Sequence, residues 1–175
     1  MAGTKVRTGH VPRLVAAVAS LLLFLVPAPT ASAATDVYAI AGYEVWPTAY
    51  VATFVGTTRD PAGSWGGWRA SIEHSGVISP TGSISGGSAE LVLADTSTIR
   101  ARVAGGSVTL VAGSETDCAA MTHQVDGALV DVVRGGRSTV GTGTLTATLV
   151  HYRAWLFGRC LTYSASVDGT IALTF

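Results

Sequence analysis

Three histidines, His74, His123 and His151, are the side chains after the leader best suited to moving protons near neutral pH. His74 continues an alternating face made by Trp68, Ala70 and Ile72, set against Arg69, Ser71 and Glu73. His151 continues the face of Leu145, Ala147 and Leu149. Imidazoles turned into a barrel could act as general acid or base, so one reading is a cyclase- or isomerase-type enzyme using His74 or His151. Asp126 and Asp131 are the acidic groups nearest His123 along the chain and could orient its ring. The spacings themselves do not support an enzyme. There is no His-x-His or His-Glu-x-x-His pair for a metal, no Gly-x-Ser-x-Gly elbow and no phosphate loop. On these grounds no catalytic residue, metal or cofactor is assigned.

The aromatic residues suggest binding instead. Trp65-Gly66-Gly67-Trp68-Arg69 places two indoles and a guanidinium together, a combination suited to stacking on flat ligands or to filling the bottom of a barrel. Trp68, His74, His151 and Tyr163 all fall in core register, and together they form the candidate ligand-binding set. Ala39, Ala52, Ala70, Ala101, Ala147 and Ala165 are also expected to face inward, where small side chains leave room for a small apolar or aromatic ligand. The alternative is that these alanines lie opposite the Trp rings, leaving a packed core and a structural or interaction protein. Trp155-Leu156-Phe157 is an apolar run before Cys160. It reads as a lid or contact patch, or as a loop that Cys160 holds over the barrel end.

Residues 1–33 read as a secretory signal peptide. Lys5, Arg7, His10 and Arg13 form a basic head, and Leu14 to Val26 is apolar but for Ser20. Ala31-Ser32-Ala33 supplies the small-x-small site for cleavage after Ala33. At ~1.5 Å per residue the apolar stretch spans about two-thirds of a bilayer core, too short for stable membrane insertion. The expected location is therefore extracellular. In an exported chain, the cysteine pair Cys118 and Cys160 reads as a disulfide. Beyond residue 33 there are eight arginines and no lysine against eleven acidic residues, three net negative charges. That balance gives no electrostatic basis for nucleic acid binding.

Residues 34–175 read as one domain built from strands. Period-two alternation recurs, most clearly where Leu161, Tyr163, Ala165, Val167, Ile171 and Leu173 share one face and Thr162, Ser164, Ser166, Asp168 and Thr170 the other. Ser79-Pro80-Thr81-Gly82 and Trp46-Pro47 read as turns, and Gly127 as a bulge. Glycine pairs at 66–67, 86–87, 105–106 and 135–136 punctuate the chain. The count is eight to ten strands in an all-β antiparallel meander, closed or nearly closed into a β-barrel, with a two-sheet sandwich as the alternative.

Gly67-Trp68-Arg69-Ala70, His151-Tyr152-Arg153, Phe157-Gly158-Arg159-Cys160 and Thr162-Tyr163-Ser164-Ala165 carry a resemblance that covers most of the chain after the leader. In these segments the chain resembles small, secreted, single-disulfide β-proteins of actinobacteria. That group has no activity to carry over, so the resemblance implies fold and location alone. In size and meander the chain also looks like the allene oxide cyclase and dirigent barrels, or the calycins, at the level of architecture.

Overall fold

The computed structural model describes residues 33–45, 47–76, 78, 80–136 and 141–175. All but the last residue of the expected leader (1–33), and Trp46 and Ser79 of the two expected turns, lie outside the described residues. Residues 33–175 form one compact unit. Eight strands follow in order: β1 (Thr35–Val45), β2 (Val51–Arg59), β3 (Trp65–His74), β4 (Thr81–Val92), β5 (Thr98–Ala112), β6 (Met121–Arg134), β7 (Gly141–Leu156) and β8 (Arg159–Thr174). Each pairs antiparallel with the next, and β8 returns to β1 through partners such as Tyr38↔Ile171 and Gly42↔Val167. The sheet is therefore a closed barrel with no open edge along its wall, and not a sandwich.

The strand count falls at the low end of the expected range because most glycine pairs lie inside strands. Gly66-Gly67, Gly86-Gly87 and Gly105-Gly106 sit within β3, β4 and β5, and of the four pairs only Gly135-Gly136 forms a turn. Glycine in a strand permits tight bending and close backbone approach. Gly106, at φ 154°, shows the need: an added Cβ would strike the Asp126 carbonyl oxygen on β6. Gly127 stays in register between Gly106 and Leu145. The bulge in this strand comes later, between Leu129 and Val132, with Asp131 at φ 53° and its carboxylate 2.9 Å from Arg102.

Strand parity sets the core. Tyr38 and Ile40 of β1, Phe54 of β2, Trp68 and Ile72 of β3, Leu129 and Val132 of β6 and Ile171 and Leu173 of β8 are buried inside. Ala52, Ala70, Ala147 and Ala165 are buried as expected, Ala101 is half-buried, and Ala39 is exposed. In β1 the even-numbered positions face inward, which turns Ala39 out and brings Glu44 in. On the outer wall Glu90 is bracketed by Arg69 at 3.0 Å and Arg100 at 2.7 Å, a cross-strand ladder over β3, β4 and β5.

At one barrel end β7 and β8 outrun their neighbours. β6 pairs with β7 as far as Met121↔His151, and β1 pairs with β8 as far as Tyr43↔Ser166. The β7–β8 ladder continues to Leu156↔Arg159 and forms a projecting two-stranded arm. Its tip is the two-residue turn Phe157-Gly158, with φ of 53° and 73°, the backbone a primed hairpin turn requires. The Cys118–Cys160 disulfide ties the arm to the β5–β6 loop. Arg153 reinforces the tie by donating to the carbonyls of Ser114, Glu115 and Asp117. Phe157 is 98% exposed, so the tip of the arm is not packed down over the barrel end.

Candidate functional site

A cavity of about 240 Å³ lies inside the barrel at the arm end. Phe54, Ile72, Ile78, Val108, Val125 and Leu149 form its apolar walls, and Glu44, His74, His151, Thr48 and Thr162 bring polar atoms to it. The strands contribute these groups by simple parity. Glu44 is two residue pairs beyond Ile40 on β1, His74 is two residues beyond Ile72 on β3, and His151 is two beyond Leu149 on β7.

The polar corner is a hydrogen-bonded chain. His151 Nε2 lies 3.2 Å from Glu44 Oε2, and His151 Nδ1 lies 3.3 Å from His123 Nδ1, with the two rings edge to face. A carboxylate only accepts, so Nε2 of neutral His151 carries the hydrogen and donates it to Glu44. Nδ1 is then a lone pair, which accepts from His123 Nδ1–H. This tautomer assignment follows from the partners. His123 is buried, and its burial, reinforced by the adjacent His151 ring, holds its imidazole below the ordinary value. His123 is therefore the neutral end of the chain. Such a chain can pass a proton, but both His151 nitrogens are already engaged, and neither is left to meet a bound molecule.

His74 reaches the same cavity from the opposite side of the sequence and joins no His cluster. Its Nδ1 lies 2.8 Å from the Ser75 carbonyl oxygen. Among the described residues no three His, Cys, Asp or Glu side chains are placed to hold a metal ion.

Of the four residues expected to bind ligand, the structure brings His74 and His151 together at the cavity. Trp68 is buried deeper. Its ring stacks on Phe54 with centroids 6.3 Å apart, and its Nε1 donates to the Ala41 carbonyl at 3.0 Å. Gly56 makes that crossing possible, since a Cβ there would come within 2.7 Å of the indole nitrogen. Trp68 thus reaches the cavity only through Phe54. Tyr163 faces outward, 63% exposed, against its expected inward register. The cause is a bulge: Tyr152 pairs with Ser164 but Arg153 pairs with Thr162, which leaves Tyr163 as the extra residue and inverts the alternation beyond it. Thr162 consequently lines the cavity, while Tyr163 packs on Tyr152 outside. Leu161 is exposed for the same reason.

Glu44 is absent from the sequence-derived candidates, and His123 stands among them with the wrong neighbours. Glu44 was legible in principle, because Tyr38, Ile40 and Glu44 share the even face of β1. His123 was taken with Asp126 and Asp131, yet its partner is His151 on the adjacent strand, while Asp131 pairs with Arg102. Trp65 and Trp68 do not form one platform either: Trp65 is exposed, with Arg59 5.7 Å over its ring. No family model, curated protein or solved structure matches the chain.

Proposed function

We propose that the chain is an exported, non-catalytic barrel that holds one small apolar or aromatic molecule in the chamber at its arm end. The chamber itself supports this reading: about 240 Å³ lined mostly by aliphatic and aromatic side chains, with a few polar groups among them. A barrel interior filled throughout would leave no such space. Native mass spectrometry of protein recovered from culture fluid tests the proposal directly, because a retained molecule adds a discrete mass that denaturation removes. Intrinsic Trp fluorescence gives a second readout, since Trp68 stacks on Phe54, which lines the chamber. No retained mass, together with no fluorescence response to a panel of single-ring compounds, would reject ligand binding. Export rests on the basic head, the apolar stretch and the Ala31-Ser32-Ala33 site, and a disulfide is compatible with it. Secreted protein that begins at Met1 rather than Ala34 would reject the leader.

The arm supports a second reading, an interaction protein. Trp155, Leu156, Phe157, Leu161 and Tyr163 are all exposed on one projecting hairpin. A photo-cross-linker at position 157, activated in the producing culture, should capture a defined partner under this reading. A chain that remains free would reject it.

A further inference from the structure

The polar lining of the chamber is chemically one-sided. His74 Nδ1 is bonded to the Ser75 carbonyl, which can only accept, so Nδ1 carries the hydrogen and the nitrogen left for a ligand is an acceptor. Glu44 uses one oxygen on His151, and its second oxygen has no hydrogen bond among the described residues. The Glu44 side chain is only 8% exposed, yet no fully enclosed side-chain oxygen among the described residues lacks a partner. The second oxygen therefore faces open space, and the space Glu44 lines is the chamber. His151 donates nothing into it, because its two nitrogens are taken by Glu44 and His123. Thr48 is spent on its own turn, accepting from the Tyr50 and Val51 amides and donating to the Val51 carbonyl. Thr162 can rotate to suit either role. The lining thus offers the second Glu44 oxygen and the His74 lone pair, and no committed donor.

Resting on the reading of the chamber as a ligand site, we propose that its ligand is a small apolar amine, with the ammonium on Glu44 and the body against Phe54, Ile72 and Leu149. A carboxylate head would meet the like charge of Glu44 and be excluded. An ammonium brings only donors, and a charge-assisted bond to a carboxylate is among the stronger polar contacts. Size limits the body. An apolar cavity of about 150 Å³ accommodates benzene, so a chamber of about 240 Å³ holds one ring and a short tail.

The test is a calorimetric titration of the disulfide-bonded protein with four probes that share a ring and differ in the head: benzylamine, benzyl alcohol, toluene and benzoate. Benzylamine should bind about ten- to a hundredfold more tightly than toluene, benzyl alcohol should fall between them, and benzoate should not bind. Glu44→Gln retains an acceptor for His151 and removes the charge. It should lower benzylamine affinity to that of benzyl alcohol and leave toluene unchanged. Equal binding of benzylamine and toluene, or binding of benzoate, would overturn the amine assignment while leaving an apolar chamber. Failure of all four to bind would instead overturn the ligand site itself. The wild-type series decides the matter even if the variant does not fold.

Discussion

An aspartate placed in turn at three positions of β8 separates the alternation seen in the sequence from the bulge seen in the structure. Ile171 is 1% exposed and packed in the core. Replacing it by Asp forfeits about 1.5–3 kcal/mol of apolar burial. The carboxyl must also be neutral to stay inside. Holding an acid of ordinary pKa ~3.9 protonated at pH 7 costs about 1.4 kcal/mol for each of roughly three pH units, about 4 kcal/mol. The total of about 6–7 kcal/mol is comparable to the whole stability of a typical domain, ~5–15 kcal/mol. Because the folded-state pKa of this new carboxyl is raised, its cost is absent at low pH and grows as pH rises past ~3.9. Ile171→Asp should thus recover about 3 kcal/mol, relative to wild type, between pH 7 and pH 4.5. Thr170→Asp lies on the exposed outer face and should change stability by less than about 1 kcal/mol. Tyr163→Asp is the decisive variant. Strict alternation from Ile171 would make it as damaging as Ile171→Asp, whereas its exposed place beside Tyr152 makes it as mild as Thr170→Asp. Urea unfolding followed by circular dichroism at both pH values reads all three. A loss at Tyr163→Asp equal to that at Ile171→Asp, or an unchanged midpoint for Ile171→Asp, would refute the register argument.

Removing the Cys118–Cys160 bridge with two alanines opens a 42-residue loop and should cost about 4 kcal/mol in the chain-entropy model, read from the urea midpoint; a loss below ~1 kcal/mol would mean the bond secures only the arm. Trp68→Phe deletes the indole donor to the Ala41 carbonyl and should cost about 1–3 kcal/mol by the same assay, with no loss expected if that bond is immaterial. Burial, with the His151 ring beside it, holds His123 below its usual value near 6.5. The unfolded chain therefore takes up the proton first. Stability is unaffected above about pH 6.5 and falls as pH drops through the window beneath it, by at most about 1.4 kcal/mol per unit. Thermal unfolding of wild type and His123→Gln at pH 7.5, 6.5 and 5.5 should show the variant losing less on acidification, and parallel curves would contradict the assignment.

The alternating residues of β3, β7 and the end of β8 announced an antiparallel all-β domain, since a period of two survives wherever one face is buried and the other wet. The same parity put His74 and His151 inside, and the paired cysteines indicated the bridge. Those inferences needed only neighbours along the chain. Others depended on counting without interruption. The extra residue at Tyr163 cannot be seen in sequence, because a bulge is defined by two residues opposing one on a partner strand, and it reversed the assignments of Leu161, Thr162 and Tyr163. The glycine pairs looked like punctuation between strands, but three of the four lie within long strands. The polar corner was hidden for a related reason. Glu44, His123 and His151 lie far apart in sequence and meet only because β8 closes against β1 and β6 lies beside β7. Local alternation reveals which faces of most strands are buried, since solvent and core act on each side chain where it stands. Closure, register across strands and the room left at one end come from the folded barrel, because each depends on contacts between residues whose separation along the chain carries no local signal.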